Sequence, residues 1–154
     1  MGYLERCYRV IDAGGWVPFD KSTAIDLLMH STSPAATDMV IAWLRAGRGD
    51  AKGTGEFLAK AETECEDEHE LARVLHVAMR ALFAVKRPEM ALEAGRRCLG
   101  ICRTLGMERL LSQVLITMAV ITNMLGLDNV SRAYTKEALA LRDETYSEGT
   151  VAKG

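Results

Sequence analysis

The chain is poor in residues that break helices and in residues that favour strands. It has three prolines among 154 residues, and aromatic residues make up 6%, whereas 49% of the residues are hydrophobic. Proline is disfavoured inside helices, and strands are enriched in aromatic and β-branched residues. The composition is instead rich in alanine, leucine, methionine, glutamate and arginine, which favour helices. We therefore predict an all-α fold, and the length suits one domain with a sizeable core.

A strong charge of either sign and long apolar runs are also lacking. The net charge of −2 gives no general attraction to nucleic acid or to anionic lipid. The most apolar run, residues 114–125, contains Thr117, Thr122 and Asn123 and falls short of the roughly 18 apolar residues that span a membrane. Charged residues near the start occupy the place of a signal peptide's apolar centre. We therefore predict a cytoplasmic protein without a membrane partner.

The four cysteines are too few for a disulfide scaffold. Cys98 and Cys102 share a helix face, as do Cys65 and His69, so these two pairs could in principle supply four metal ligands. The sequence has no C-x-x-C knuckle, and a free cysteine in a helical pattern usually acts as a small buried hydrophobe. We therefore predict buried thiols, with no metal and no cofactor.

One sequence pattern occurs three times. The segment LGLDNVSRAYTKEALAL, residues 125–141, aligns with residues 85–101 and with residues 48–64. Each copy has a turn residue, a small residue five positions after it and a second small residue seven positions after the first. A segment with the apolar periodicity of a helix precedes each copy. The pattern predicts three antiparallel helix pairs joined by short loops. The turn residues are Gly49, Lys86 and Gly126, and the small residues are Thr54, Ala91 and Ser131, then Ala61, Cys98 and Ala138.

The aligned blocks at 85–101 and 125–141 resemble the tetratricopeptide repeat family, in a long-period form with units of about 40 residues. The resemblance implies a right-handed superhelix, an α-solenoid, of antiparallel helix pairs. The predicted parts are an N-terminal capping helix pair (1–34), three units (35–66, 67–106 and 107–146) and a flexible tail (147–154). Within the cap, residues 14–19 predict a break, and Asp20 or Ser22 is expected to cap the helix that follows.

Catalytic motifs are missing from the sequence. The three histidines, His30, His69 and His76, have no patterned nucleophile or carboxylate partner, and there is no P-loop, zinc-protease motif or nucleophile elbow. The acidic stretch at 65–69 could attract a cation, but acidic residues at a helix start commonly serve as caps. We predict a protein that is not an enzyme.

The resemblance also implies a binding groove, because the first helix of each unit lines the concave side in this family. Arg73, His76 and Arg80 fall on consecutive turns of one such helix, a pattern that suits a carboxylate from an acidic side chain or a chain terminus. The alternative is that the arginines pair with neighbours such as Glu70 on a solvated face. Our first hypothesis is a scaffold that binds a protein or peptide. The predicted groove residues are Met39, Trp43, Arg73, His76, Arg80, Phe83, Gln113 and Asn123.

Two other functions remain open from the sequence. Long-period units of this kind resemble those of bacterial signalling or transcription regulators, which implies a sensor segment that binds a peptide or a small effector. The Met-rich apolar helix at 108–125 could instead form a homodimer. An arginine cluster on one helix (Arg96, Arg97 and Arg103) hints at nucleic acid, but the lack of interleaved aromatic residues argues against it.

Overall fold

The computed structural model describes residues 2–14 and 21–153, with side chains described for 2–14 and 22–142. Within these residues the chain forms eight α-helices and no strand, which confirms the all-α prediction. The predicted break from residue 15 to 19 and the predicted cap at Asp20 lie outside the described residues, and Ser22 lies inside the second helix. The helices are α1 (Tyr3–Ala13), α2 (Lys21–Met29), α3 (Pro34–Gly47), α4 (Ala51–Glu64), α5 (Glu68–Ala84), α6 (Pro88–Leu105), α7 (Glu108–Met124) and α8 (Asp128–Lys153).

The chain divides into two compact units, Met1–Cys98 and Leu99–Gly154, and α6 runs across the division. In the first unit α3 packs against α4 and α5, while α1 packs on α3 and α5 and α2 packs on α3. In the second unit α7 packs against α8. The helix α8 continues to Lys153, so it includes most of the segment for which we predicted a flexible tail. The superhelical stacking of the pairs stays a prediction.

The turns of the three helix pairs have the same backbone conformation. The residues aligned from the sequence all have positive φ, 76° at Gly49, 64° at Lys86 and 78° at Gly126. In each turn the next N–H donates to a carbonyl five residues earlier, which closes the end of the first helix. Glycine adopts this conformation without strain, whereas Lys86 holds it at a cost. These bonds are Asp50 to Arg45 (3.0 Å), Arg87 to Leu82 (2.9 Å) and Leu127 to Thr122 (2.8 Å).

The small residues at the repeated positions are buried. Thr54 and Ala91 are fully buried in the first unit, and Ser131 is buried in the second. The Ser131 hydroxyl donates to the carbonyl oxygen of Ala119 on α7 at 2.8 Å, which joins the two helices of that hairpin. Small side chains at these positions allow close approach of the paired helices, as the sequence pattern predicted.

Side-chain caps fix the starts of α3 and α5. The Ser33 hydroxyl accepts from the N–H of Ala36 at 3.2 Å, ahead of the proline that opens α3. The Asp67 carboxylate accepts from the N–H of Glu70 at 2.8 Å, and the Glu70 carboxylate accepts from the N–H of Glu66 at 2.9 Å. The acidic stretch at 65–69 is therefore a capping turn at the start of α5.

Two glycines near the start of α4 differ in the space around them, so an alanine at each position should affect stability differently. The N–H of Gly53 donates to the capping carboxylate of Asp50 at 2.9 Å, and a Cβ on Gly53 would lie 2.3 Å from the other carboxylate oxygen. A Cβ on Gly55 would meet no described atom within 4 Å. We expect Gly53→Ala to leave the free energy of unfolding within about 0.5 kcal/mol of the parent value, because movement of the cap offsets alanine's preference for the helix. We expect Gly55→Ala to raise it by about 1 kcal/mol, because alanine favours the helix.

Urea denaturation of the two variants beside the parent protein measures this contrast, since both substitutions add one methyl group to the same helix. Equal stabilisation by the two substitutions would contradict the proposed role of Gly53.

Candidate functional site

The predicted groove face of α5 is covered by α1. Three polar contacts join the two helices, and each joins residues that are 68 apart in the sequence, so α1 and α5 run parallel. The polar face of α1 is therefore in register with the basic face of α5. The contacts are Glu5 Oε1 to Arg73 Nη2 (3.5 Å), Tyr8 hydroxyl to His76 Nδ1 (2.7 Å) and Asp12 Oδ1 to Arg80 Nη1 (3.2 Å).

Arg80 is the most buried charged residue of this contact. Its side chain is 4% exposed, and the guanidinium carbon lies 5.1 Å from the centre of the Trp43 ring on α3. Burial lowers the pKa of Arg80, while the nearby Asp12 carboxylate and Tyr8 oppose that shift. The guanidinium is thus held between a carboxylate of α1 and an aromatic face of α3, and both contacts favour its charged form.

His76 and Tyr8 form a neutral pair at the middle of the contact. Their rings are 5.8 Å apart between centroids. Burial and the neighbouring Arg80 lower the pKa of His76 to about 3, and burial raises the pKa of Tyr8 above its usual value. Both side chains are therefore uncharged at neutral pH. We call Arg73, His76 and Arg80 the basic strip of α5. The strip has a neutral centre at His76 and a cationic arginine at each end.

The remaining predicted groove residues lie in different surroundings. Met39 is fully buried on α3 and Phe83 is half-buried on α5. Gln113 is half-buried and Asn123 is exposed, and both belong to α7 in the second unit. In the first unit the structure thus brings the three polar residues of α5 together against α1, and Trp43 lies beside Arg80.

Sequence reasoning missed the contribution of α1. Its residues Glu5, Tyr8 and Asp12 have spacings of three and four, the same spacings that separate Arg73, His76 and Arg80. Two helices with matched spacings and opposite charges can pair side by side, so this match was a usable signal. The sequence pattern by itself predicts only a capping role for the first helix.

The other predicted chemical clusters have structural roles. The arginine cluster on α6 lies beside carboxylates, in the ion pairs Arg96 with Glu93 (3.6 Å), Arg97 with Glu62 (2.6 Å) and Arg103 with Glu137 (2.7 Å). The thiol of Cys98, which is buried, donates to the carbonyl oxygen of Ala72 at 3.2 Å. Among the described side chains no group of three or more histidine, cysteine or acidic residues is placed to hold a metal ion.

Among the cavities lined by described residues, two lie outside the α1 contact. One, of about 360 Å³ in the first unit, has apolar residues such as Leu58 and Leu82 and charged residues such as Glu62 and Arg97. The other, of about 400 Å³ in the second unit, lies between α7 and α8. No helix in the described part of the chain is both long and apolar enough to cross a membrane.

The basic strip of α5, formed by Arg73, His76 and Arg80, combines a part-exposed guanidinium, a neutral imidazole and a buried guanidinium that lies over the Trp43 ring of α3. Its occupant in the structure is a helix with complementary side chains in register. Comparison of the chain with family models, curated proteins and solved structures found no match.

Proposed function

We propose that the chain is a non-enzymatic interaction module that binds an amphipathic helix of a protein partner along α3 and α5. The observation that carries this proposal is the seating of α1 on α5 through three polar contacts in one register. In this proposal α1 is an intramolecular example of the ligand. A partner helix with the same pattern competes with α1 for the strip.

The chemistry of the strip defines the ligand. Arg73 and Arg80 require carboxylates about two helical turns apart, and His76 between them accepts or donates one hydrogen bond. A buried guanidinium left without its carboxylate is costly, so a helix that lacks the acidic residues is rejected. The proposed ligand is a helix with an acidic residue, a tyrosine and a second acidic residue at positions i, i+3 and i+7, beside an apolar stripe.

The repeated hairpin supports placing this strip in a tetratricopeptide-like array. All three turns share a left-handed residue and the same closing hydrogen bond. In that proposal α3, α5 and α7 are the first helices of successive units, and the array forms a right-handed superhelix. The strip then lies on the first helix of the second unit.

A peptide with the sequence of residues 2–14 tests the proposal when it is added in trans. The double variant Tyr8→Ala with Asp12→Ala weakens the contact of the chain's own α1 with α5. We therefore expect the labelled peptide to bind this variant about 100-fold more tightly than it binds the parent protein. The reason is that the tethered α1 of the parent competes at an effective concentration of about 1 mM. Fluorescence anisotropy measures the binding, and circular dichroism checks that the variant is folded.

The matched control is the same peptide with lysine in place of Glu5 and Asp12. We expect it to bind the variant at least about 10-fold more weakly, because it brings like charges to Arg73 and Arg80. Equal binding of the two peptides, or no binding of the native peptide to the folded variant, would refute the proposed recognition.

A further inference from the structure

The hairpin of α7 and α8 exposes a continuous apolar surface. Ile116 is 54% exposed, Val120 41% and Leu139 53%, and all three line the cavity of about 400 Å³ between the two helices. Arg142 is the one charged residue among the described residues that line it. The face therefore combines apolar side chains with small polar residues and has almost no charge.

The same positions are a helix–helix interface in the first hairpin. We align the two hairpins on their turn residues, Gly49 and Gly126. In this alignment, eight of the residues that line the α7–α8 cavity correspond to buried residues of α3–α4. There, α5 packs across both helices, and Arg80 of α5 lies over the Trp43 ring. A surface built to receive a helical neighbour is thus filled in one hairpin and open in the other. The buried equivalents are Ala35, Met39, Ala42, Trp43, Ala46, Thr54, Leu58 and Ala61.

We infer that the α7–α8 face pairs with the same face of a second copy of the chain, forming a homodimer. Two observations favour this occupant. The near absence of charge means that two identical faces meet without strong repulsion, and a two-fold dimer is the commonest closed assembly. At the other end of the first unit α3 is already covered by α1 and α2, so it offers no matching open hairpin face for head-to-tail stacking.

The size of the face agrees with this pairing. Two packed helices of this length present a surface about 25 Å long and about 20 Å wide. Such a face has an area of about 500 Å² per copy, or about 1,000 Å² for the pair, which reaches the lower limit for a specific interface. The inference does not depend on the proposed α1 strip, because the two surfaces belong to different helices.

Sedimentation velocity across a concentration series up to about 200 µM tests the dimer. We expect the parent protein to sediment at twice the monomer mass in the upper part of the series. The double variant Ile116→Lys with Leu139→Lys is expected to weaken dimerisation by at least about 100-fold, because each copy buries two new cations against the other. The matched control is Ile25→Lys with Met29→Lys on α2, two exposed apolar residues outside the face, and we expect it to dimerise as the parent does.

A parent protein that stays monomeric throughout the series would overturn the inference. Loss of the dimer in the α2 control, or an intact dimer in the face variant, would overturn it as well. Circular dichroism checks each variant for its helical content, and the milder pair Ile116→Ser with Leu139→Ser repeats the test if the lysine pair fails to fold.

Discussion

Asp12→Ala is expected to lower the free energy of unfolding by about 3 kcal/mol. The substitution removes the α1 carboxylate that lies 3.2 Å from the guanidinium of Arg80, whose side chain is 4% exposed. Removing one partner of a buried ion pair leaves the other charge poorly compensated, which costs more than the pair itself contributes. Urea denaturation followed by circular dichroism measures the change.

Glu5→Ala is the matched control, because Glu5 belongs to the same helix and also pairs with an arginine of α5. That pair is longer, at 3.5 Å, and its arginine is 22% exposed against 4% for Arg80, so we expect a loss of less than about 1 kcal/mol. Equal losses in the two variants would show that burial of Arg80 does not govern the contact. In a double-mutant cycle with Arg80→Met, we expect a coupling energy of at least about 1.5 kcal/mol.

Acid is expected to destabilise the protein through His76. The folded protein holds the pKa of this imidazole at about 3 through burial and the nearby Arg80, below its ordinary value of 6.5. The unfolded chain therefore takes up a proton below pH 6.5 that the folded chain refuses. The stability from this group is complete above pH 6.5 and is lost as the pH falls towards about 3, by about 1.4 kcal/mol per pH unit.

The difference between the parent protein and His76→Gln isolates this effect, because carboxylates that titrate in the same range are common to both. Tyr8, Arg73 and Arg80 surround the imidazole and are likewise kept in the variant. We expect the variant to lose less stability than the parent protein between pH 6.5 and about 4. Parallel pH profiles for His76→Gln and the parent would contradict the assignment.

The local structure of the hairpins could be predicted from the sequence because short-range rules determine it. A serine before a proline is a sequence signature of a helix start, and α3 begins after Ser33; the aligned turn residues Gly49, Lys86 and Gly126 also share one conformation. The lysine shows the limit of residue preference. Its alignment with two glycines indicated the left-handed conformation more reliably than its own propensity did.

The environment of the candidate site could not be predicted in the same way. Helical periodicity placed Arg73, His76 and Arg80 on one face, but it does not say what lies on that face. The choice between an open groove and a covered one depends on the long-range packing of α1, which no local pattern determines. Trp43 illustrates the point, because core packing and ligand anchoring produce the same apolar position on a helix.

The register between α1 and α5 has a consequence for synthesis on the ribosome. The partners of Glu5, Tyr8 and Asp12 are each made 68 residues later. At translation rates of about 5 to 20 residues per second, α1 waits about 3 to 14 s before its binding surface exists. During that interval the nascent amphipathic segment has no α5 surface with which to pair.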